Sequence, residues 1–276
     1  MRTRVLAGAV AGLALALAGA LPANAATSDK ASLSVLHGVP DLTVDVWVNG
    51  TRTLDDFTPG SLAGPLELAP GTYTVAITAA DAVDASAPAI GPVDLTLAAG
   101  KSYTAVAHLD ASGKPTATLF TNDISTIAAG QGRLTVRHTA AAPAVDVLAG
   151  GTPVISGLTN PQEKVLNLPA GTVSAAVAAA GTTAPVIGPA DVNVAEGVST
   201  IVYAWGSLSA NNLKLAVQTI GGLHSAPAGV PAGELGLASD SSSSTPWLVG
   251  AALLLAAGGV VLVTRRAPAR ATVSRD

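Results

Sequence analysis

Val44-Asp45-Val46-Trp47-Val48-Asn49-Gly50 alternates aliphatic with other side chains at a period of two and ends in a pair tolerant of positive φ. That is the pattern of a β-strand with one buried face running into a tight turn. It returns as Val145-Asp146-Val147-Leu148-Ala149-Gly150-Gly151. The lead-in repeats as well, Leu33-Ser34-Val35-Leu36-His37 before the first copy and Leu134-Thr135-Val136-Arg137-His138 before the second. Pro70-Gly71 matches Ala170-Gly171, Gly91-Pro92 matches Gly188-Pro189, and Asp94 matches Asp191, with the offset drifting only from 101 to 97. The repeat defines two similar modules, residues 31–121 and 133–218, joined by a linker over 122–132.

Further strands are expected at 73–78, 93–97, 103–108 and 116–120, separated by Pro70-Gly71, Gly91-Pro92, Ala99-Gly100 and Ser112-Gly113. Short strands punctuated every eight to twelve residues indicate an all-β chain of two tandem antiparallel β-sandwiches of immunoglobulin-like type. The chain has no cysteine, so no disulfide supports either module. With eight aromatic residues in all, the cores must be built from Val, Leu, Ile and Ala.

The ends carry an address. Arg2 and Arg4, the apolar run from Val5 to Leu21 and the small-x-small Ala23-Asn24-Ala25 describe a secretory signal peptide over 1–25. Residues 219–244 are rich in Gly, Ala, Pro and Ser, the composition of a flexible stalk. Residues 245–264 contain no charge, and twenty residues at about 1.5 Å rise span the roughly 30 Å of a bilayer core. The basic tail over 265–276, with Arg265, Arg266, Arg270 and Arg275, places the C-terminus in the cytoplasm by the positive-inside rule. The expectation is a single-pass protein of the cell membrane with its modules outside.

Between leader and anchor there are eight Lys or Arg against seventeen Asp or Glu, a net charge of −9. That balance excludes nucleic acid as a partner, which demands clustered cations. It leaves cation binding open.

The order of strand, His37, a short loop with Pro40, a Val-Asp-Val strand ending at glycine, and then a Leu68 to Tyr73 segment ending Gly-Thr-Tyr resembles the bacterial domain of unknown function 4397. The resemblance covers both repeats, roughly residues 31–218. Its second copy departs from the pattern, with Val173 at the Tyr73 position and Ala141-Ala142 at Pro40-Asp41. It implies a secreted or cell-envelope β-sandwich module, commonly in tandem, and no established activity.

Six residues stand out. Alternation puts His37 with Leu33 and Val35, and His138 with Leu134 and Val136, on inward faces, where a recurring imidazole has a structural, hydrogen-bonded role. A metal reading would pair His37 with Asp41 or Asp45, but no third ligand is fixed by spacing, so no metal site is assigned. Asp45 and Asp146 fall on the outer face, as loop caps or, for Asp45, as a ligand group. Trp47 also falls outward, where an exposed ring could stack on a sugar or anchor a protein partner. Trp47, Asp45 and Asp41 are therefore the candidate binding residues.

There is no Gly-x-Ser-x-Gly elbow, no His-Glu-x-x-His and no glycine-rich phosphate loop, so no catalytic residue and no cofactor is assigned. The expected function is a non-enzymatic, membrane-anchored surface protein serving adhesion, scaffolding or envelope organisation, with a surface protein or envelope polysaccharide as partner. The alternative is a module that binds glycan or a divalent cation.

Overall fold

The structure, a computed structural model, describes residues 29–225. The expected signal peptide, transmembrane helix and basic tail, and all but the first residues of the stalk, lie outside these residues. Among the described residues no helix is long and apolar enough to cross a membrane.

Among the described residues sixteen strands form four sheets of four. The first module contains β1 (Ala31–Gly38), β2 (Val44–Val48), β3 (Thr51–Phe57), β4 (Leu62–Leu68), β5 (Gly71–Ala79), β6 (Ile90–Leu97), β7 (Ser102–Leu109) and β8 (Pro115–Asn122). Its two sheets run β4-β1-β7-β8 and β3-β2-β5-β6. The second module repeats this with β9 (Gln131–Ala141), β10 (Val145–Ala149), β11 (Thr152–Leu158), β12 (Glu163–Pro169), β13 (Gly171–Ala179), β14 (Pro185–Val194), β15 (Ser199–Ser207) and β16 (Lys214–Ile220). The orders are β12-β9-β15-β16 and β11-β10-β13-β14.

The all-β sandwich expectation holds, and all four further strands expected in the first repeat fall inside β5 to β8. The strand order corrects the immunoglobulin-like detail. An immunoglobulin sandwich separates its second and third strands between sheets, whereas here β2 and β3 are hairpin neighbours in one sheet. Nor is the pairing wholly antiparallel, because β1 runs parallel to β7 and β9 parallel to β15. The second repeat also runs past its expected end at 218, since β16 continues to Ile220.

Between the paired sheets of the second module lies an aliphatic core that includes Leu134, Val136, Val147, Val177 and Val202. In the first module the interior is lined by two clusters, one around Val44, Val46 and Ile77 and one around Leu33, Leu95 and Tyr103. A further cluster belongs to neither interior: Leu36, Val106 and Phe120 from the first module meet Ile201 and Tyr203 from the second. The sheets containing β1 and β9 therefore pack against each other through their outer faces, which explains why β7 and β15 are buried along their whole lengths.

The linker is held in place. Arg133 donates to the carbonyls of Asp123 at 2.8 Å and Ser125 at 3.1 Å, and its guanidinium lies 3.2 Å from the Asp123 carboxylate. Ile127 is buried, receives a backbone bond from Ser225 and donates one to Leu223. Residues 223–225, just after β16, are thus stitched to the connection between the modules.

Candidate functional site

The histidines act as latches. His37 Nε2 lies 2.6 Å from the Leu42 carbonyl and His138 Nε2 3.0 Å from that of Pro143, each five residues along the chain. Each imidazole donates to the loop that leads into the Val-Asp-Val strand, fixing the turn between β1 and β2 or β9 and β10. Burial lowers both pKa values from that of a free histidine, against a smaller pull upward from the carbonyl bond. His37 is engaged with Leu42 and is not brought to Asp41 or Asp45 as a ligand set.

Asp45 and Asp146 are not exposed. Asp45 is 0% exposed and accepts the Asp56 amide at 3.0 Å and an Arg52 N–H at 3.1 Å. Asp146 accepts the amides of Gly157 and Gly181, both at 2.8 Å. Asp56 and Gly157 occupy equivalent positions with positive φ, 50° and 66°, where the register between the second and third strands of each module slips. The repeated aspartate holds that bulge in both copies. Asp146→Ala is expected to cost about 2–4 kcal/mol, because two amides lose a charged acceptor. The check is a lower denaturant midpoint at unchanged slope; an unchanged midpoint would mean that the amides find other partners.

Trp47 is corrected in the same way. Its strand alternation is right, yet the ring is only 8% exposed. The indole donates to Thr78 Oγ1 at 2.9 Å, and the Arg52 guanidinium lies over the ring at 5.8 Å from its centroid. Arg52 and Thr78 cover the ring, so it has no free face for a sugar. Asp41 is exposed, and its carboxylate accepts Asn212 Nδ2 from the second module at 3.3 Å.

Carboxylate oxygens of Asp45, Asp55 and Asp56 lie within 4.8 Å of one another. A cation already sits among them: Arg52 Nη1 is 3.1 Å from Asp45 and 3.0 Å from Asp55. Arg52 therefore offsets one of the three carboxylate charges by bridging Asp45 and Asp55, and Asp41 takes no part in the cluster.

The most developed polar arrangement joins the two modules, and repeat alignment did not single it out. Arg137 in β9 is 1% exposed. Its Nε meets the Glu163 carboxylate at 2.7 Å, Nη1 donates to the Tyr203 hydroxyl at 2.8 Å, and Nη2 donates across the boundary to Asn122 Oδ1 at 3.0 Å. The guanidinium packs over Phe120 at 4.3 Å and Tyr203 at 5.3 Å from the ring centroids. Tyr203 passes a hydrogen bond to Gln218 Oε1 at 2.6 Å, which also accepts Thr104 Oγ1 at 3.0 Å. Burial pushes the Tyr203 phenol upward, so it stays protonated and able to donate.

The rim of this interface is also bonded. Asn160 Nδ2 bridges the carbonyl of Leu109 in the first module, at 2.8 Å, and that of Ala140 in the second, at 2.7 Å. Trp205, 3% exposed, lies against Gly60 so closely that a Cβ there would sit 3.0 Å from its ring. The one sequence signal for all this was Arg137 itself, a charge standing where the first repeat has Leu36.

No curated protein matches the chain. Residues 31–148, which carry all of the first sandwich and the start of the second as far as β10, match a family described as domain of unknown function (DUF4397).

Proposed function

We propose that this chain is a non-enzymatic, membrane-anchored surface protein that presents two sandwiches as one rigid piece for adhesion, scaffolding or envelope organisation. The observation that carries the reading is the buried Arg137 network, in which a fully enclosed charge is satisfied from both modules at once. Such an interface suits a body that transmits force or fixes a distance. In this reading residues 1–25 direct export, 245–264 anchor the chain, and 265–276 remain in the cytoplasm.

The second module is a diverged copy of the same domain. Supporting this are its identical strand order, its matching parallel pair, and its own histidine latch and aspartate-held bulge. The partner is an envelope polysaccharide or another surface protein. Protease applied to intact cells should release the paired sandwiches as one fragment while a C-terminal tag stays with the membrane. The released fragment, used as bait on envelopes, should then retain a specific protein or polysaccharide. Full protection from protease, or recovery of the chain in the soluble cytoplasmic fraction, would contradict the proposal.

A further inference from the structure

The two sandwiches share a topology but not an interior. The first encloses a cavity of about 210 Å³, the second one of about 20 Å³ at the corresponding place. The larger space is lined almost wholly by aliphatic groups, among them Leu33, Val35, Val46, Val75, Leu95 and Ala105. Val35, which faces this interior, is only half-buried, whereas its counterpart Val136 is buried.

Side-chain size alone does not open it. The sheet containing β5 carries the larger residues in the first module, Val75 and Ile77 where the second has Ala175 and Val177. The opposite wall is lower, with Ala105 and Ala117 in place of Val202 and Leu215. The backbone supplies the rest. β4 bulges away from β1 between Leu33 and Val35, where Gly64 has φ 97° and a Cβ would lie 2.7 Å from the Leu33 carbonyl. β12 pairs with β9 without any such slip.

The opening is on that side. Edge strands β6 and β8 pack against each other and close the far end, as do β11 and β12 on the near side of the second module. Between β3 and β4 the lining residues Thr53 and Leu66 are exposed, Leu66 at 38%.

We propose that the first sandwich is a binding site for the end of a single aliphatic chain, inserted between β3 and β4 with its polar head left outside. Among the lining groups only Thr53, Thr118 and Tyr73 carry polar side chains, and Tyr73 turns its hydroxyl to the Ala69 carbonyl at 2.8 Å. The buried part of the ligand therefore needs no hydrogen-bonding atom. The volume exceeds that of an aliphatic cavity of about 150 Å³ that takes up benzene, so the end of a short alkyl chain fits. A dry aliphatic cavity takes up apolar ligands of this kind and excludes water.

Octan-1-ol titrated into the full-length protein tests the assignment. The expected result is saturable 1:1 binding with a Kd below about 1 mM. The double variant Ala105→Val with Ala117→Leu puts the second module's residues into the first and should weaken binding at least about tenfold with no loss of thermal stability. Nuclear Overhauser contacts from octanol to the Val35 and Val75 methyls read the same site without any substitution. An octanoyl lysophospholipid run alongside separates a chain delivered on a lipid from a free one, and binding of either supports the site. Absence of saturable binding, binding undiminished in the folded double variant, or contacts confined to other methyls would overturn it.

Discussion

Arg137→Ala is expected to cost about 3 kcal/mol or more, the upper part of what single substitutions do. The side chain is enclosed, so its loss leaves a void between Phe120 and Tyr203 together with a phenol, an amide oxygen and a carboxylate that had been paired. Glu163 keeps 33% of its side chain in solvent and can rehydrate, which holds the loss below that of a fully buried pair. At about 2–4 °C per kcal/mol for a unit of this size, the midpoint should fall by roughly 6–12 °C. Arg137→Leu supplies the residue the first module has at the equivalent Leu36. It should recover part of the loss, because it refills the void while leaving the polar partners stranded. Thermal unfolding of the three proteins checks the order; a midpoint unchanged in Arg137→Ala would mean that the network holds nothing together.

Acidification should destabilise the chain well before its carboxylates titrate. His37, His108 and His138 are each about 1% exposed, and burial lowers the pKa of all three. A group whose folded pKa lies below its unfolded value of about 6.5 binds fewer protons folded than unfolded throughout that interval. Stability is therefore full above about pH 6.5 and is lost as pH falls through the interval, by up to about 1.4 kcal/mol per pH unit for each imidazole. The loss stops once the folded imidazoles themselves take up protons. Denaturant unfolding at closely spaced pH values from 7.5 to 5 should show this slope, and His138→Gln should make it shallower. A flat profile above pH 5 would contradict the assignment of these rings as buried, neutral donors.

How far the sequence spoke depended on which face of each strand meets solvent. The Val-Asp-Val strands, the repeat offset and the punctuating glycines and prolines were legible, because each is a local signal of period or turn. β3 and β4 were not. Both are edge strands; β3 reads Thr-Arg-Thr-Leu-Asp-Asp-Phe with little buried surface, and β4 carries Pro65 at its bulge. The β1 to β7 parallel pairing joins segments about seventy residues apart and leaves no mark in either.

For the candidate site, alternation gave the right face and the wrong accessibility. Trp47 and Asp45 do point away from their sandwich interior, but Arg52, the third-strand bulge and Thr78 cover them. Arg137 was hidden for a related reason. Its face of β9 is outward for one sandwich and interior only once the other sandwich is packed on it, which a single-module pattern does not encode.

If the two sandwiches form one body through the Arg137 interface, calorimetry of the intact chain shows it. The expected result is one unfolding transition for both modules, with calorimetric and van't Hoff enthalpies equal, moved as a whole by Arg137→Ala. Two separable transitions, or a calorimetric enthalpy near twice the van't Hoff value, would contradict it and leave two independent domains on a common tether.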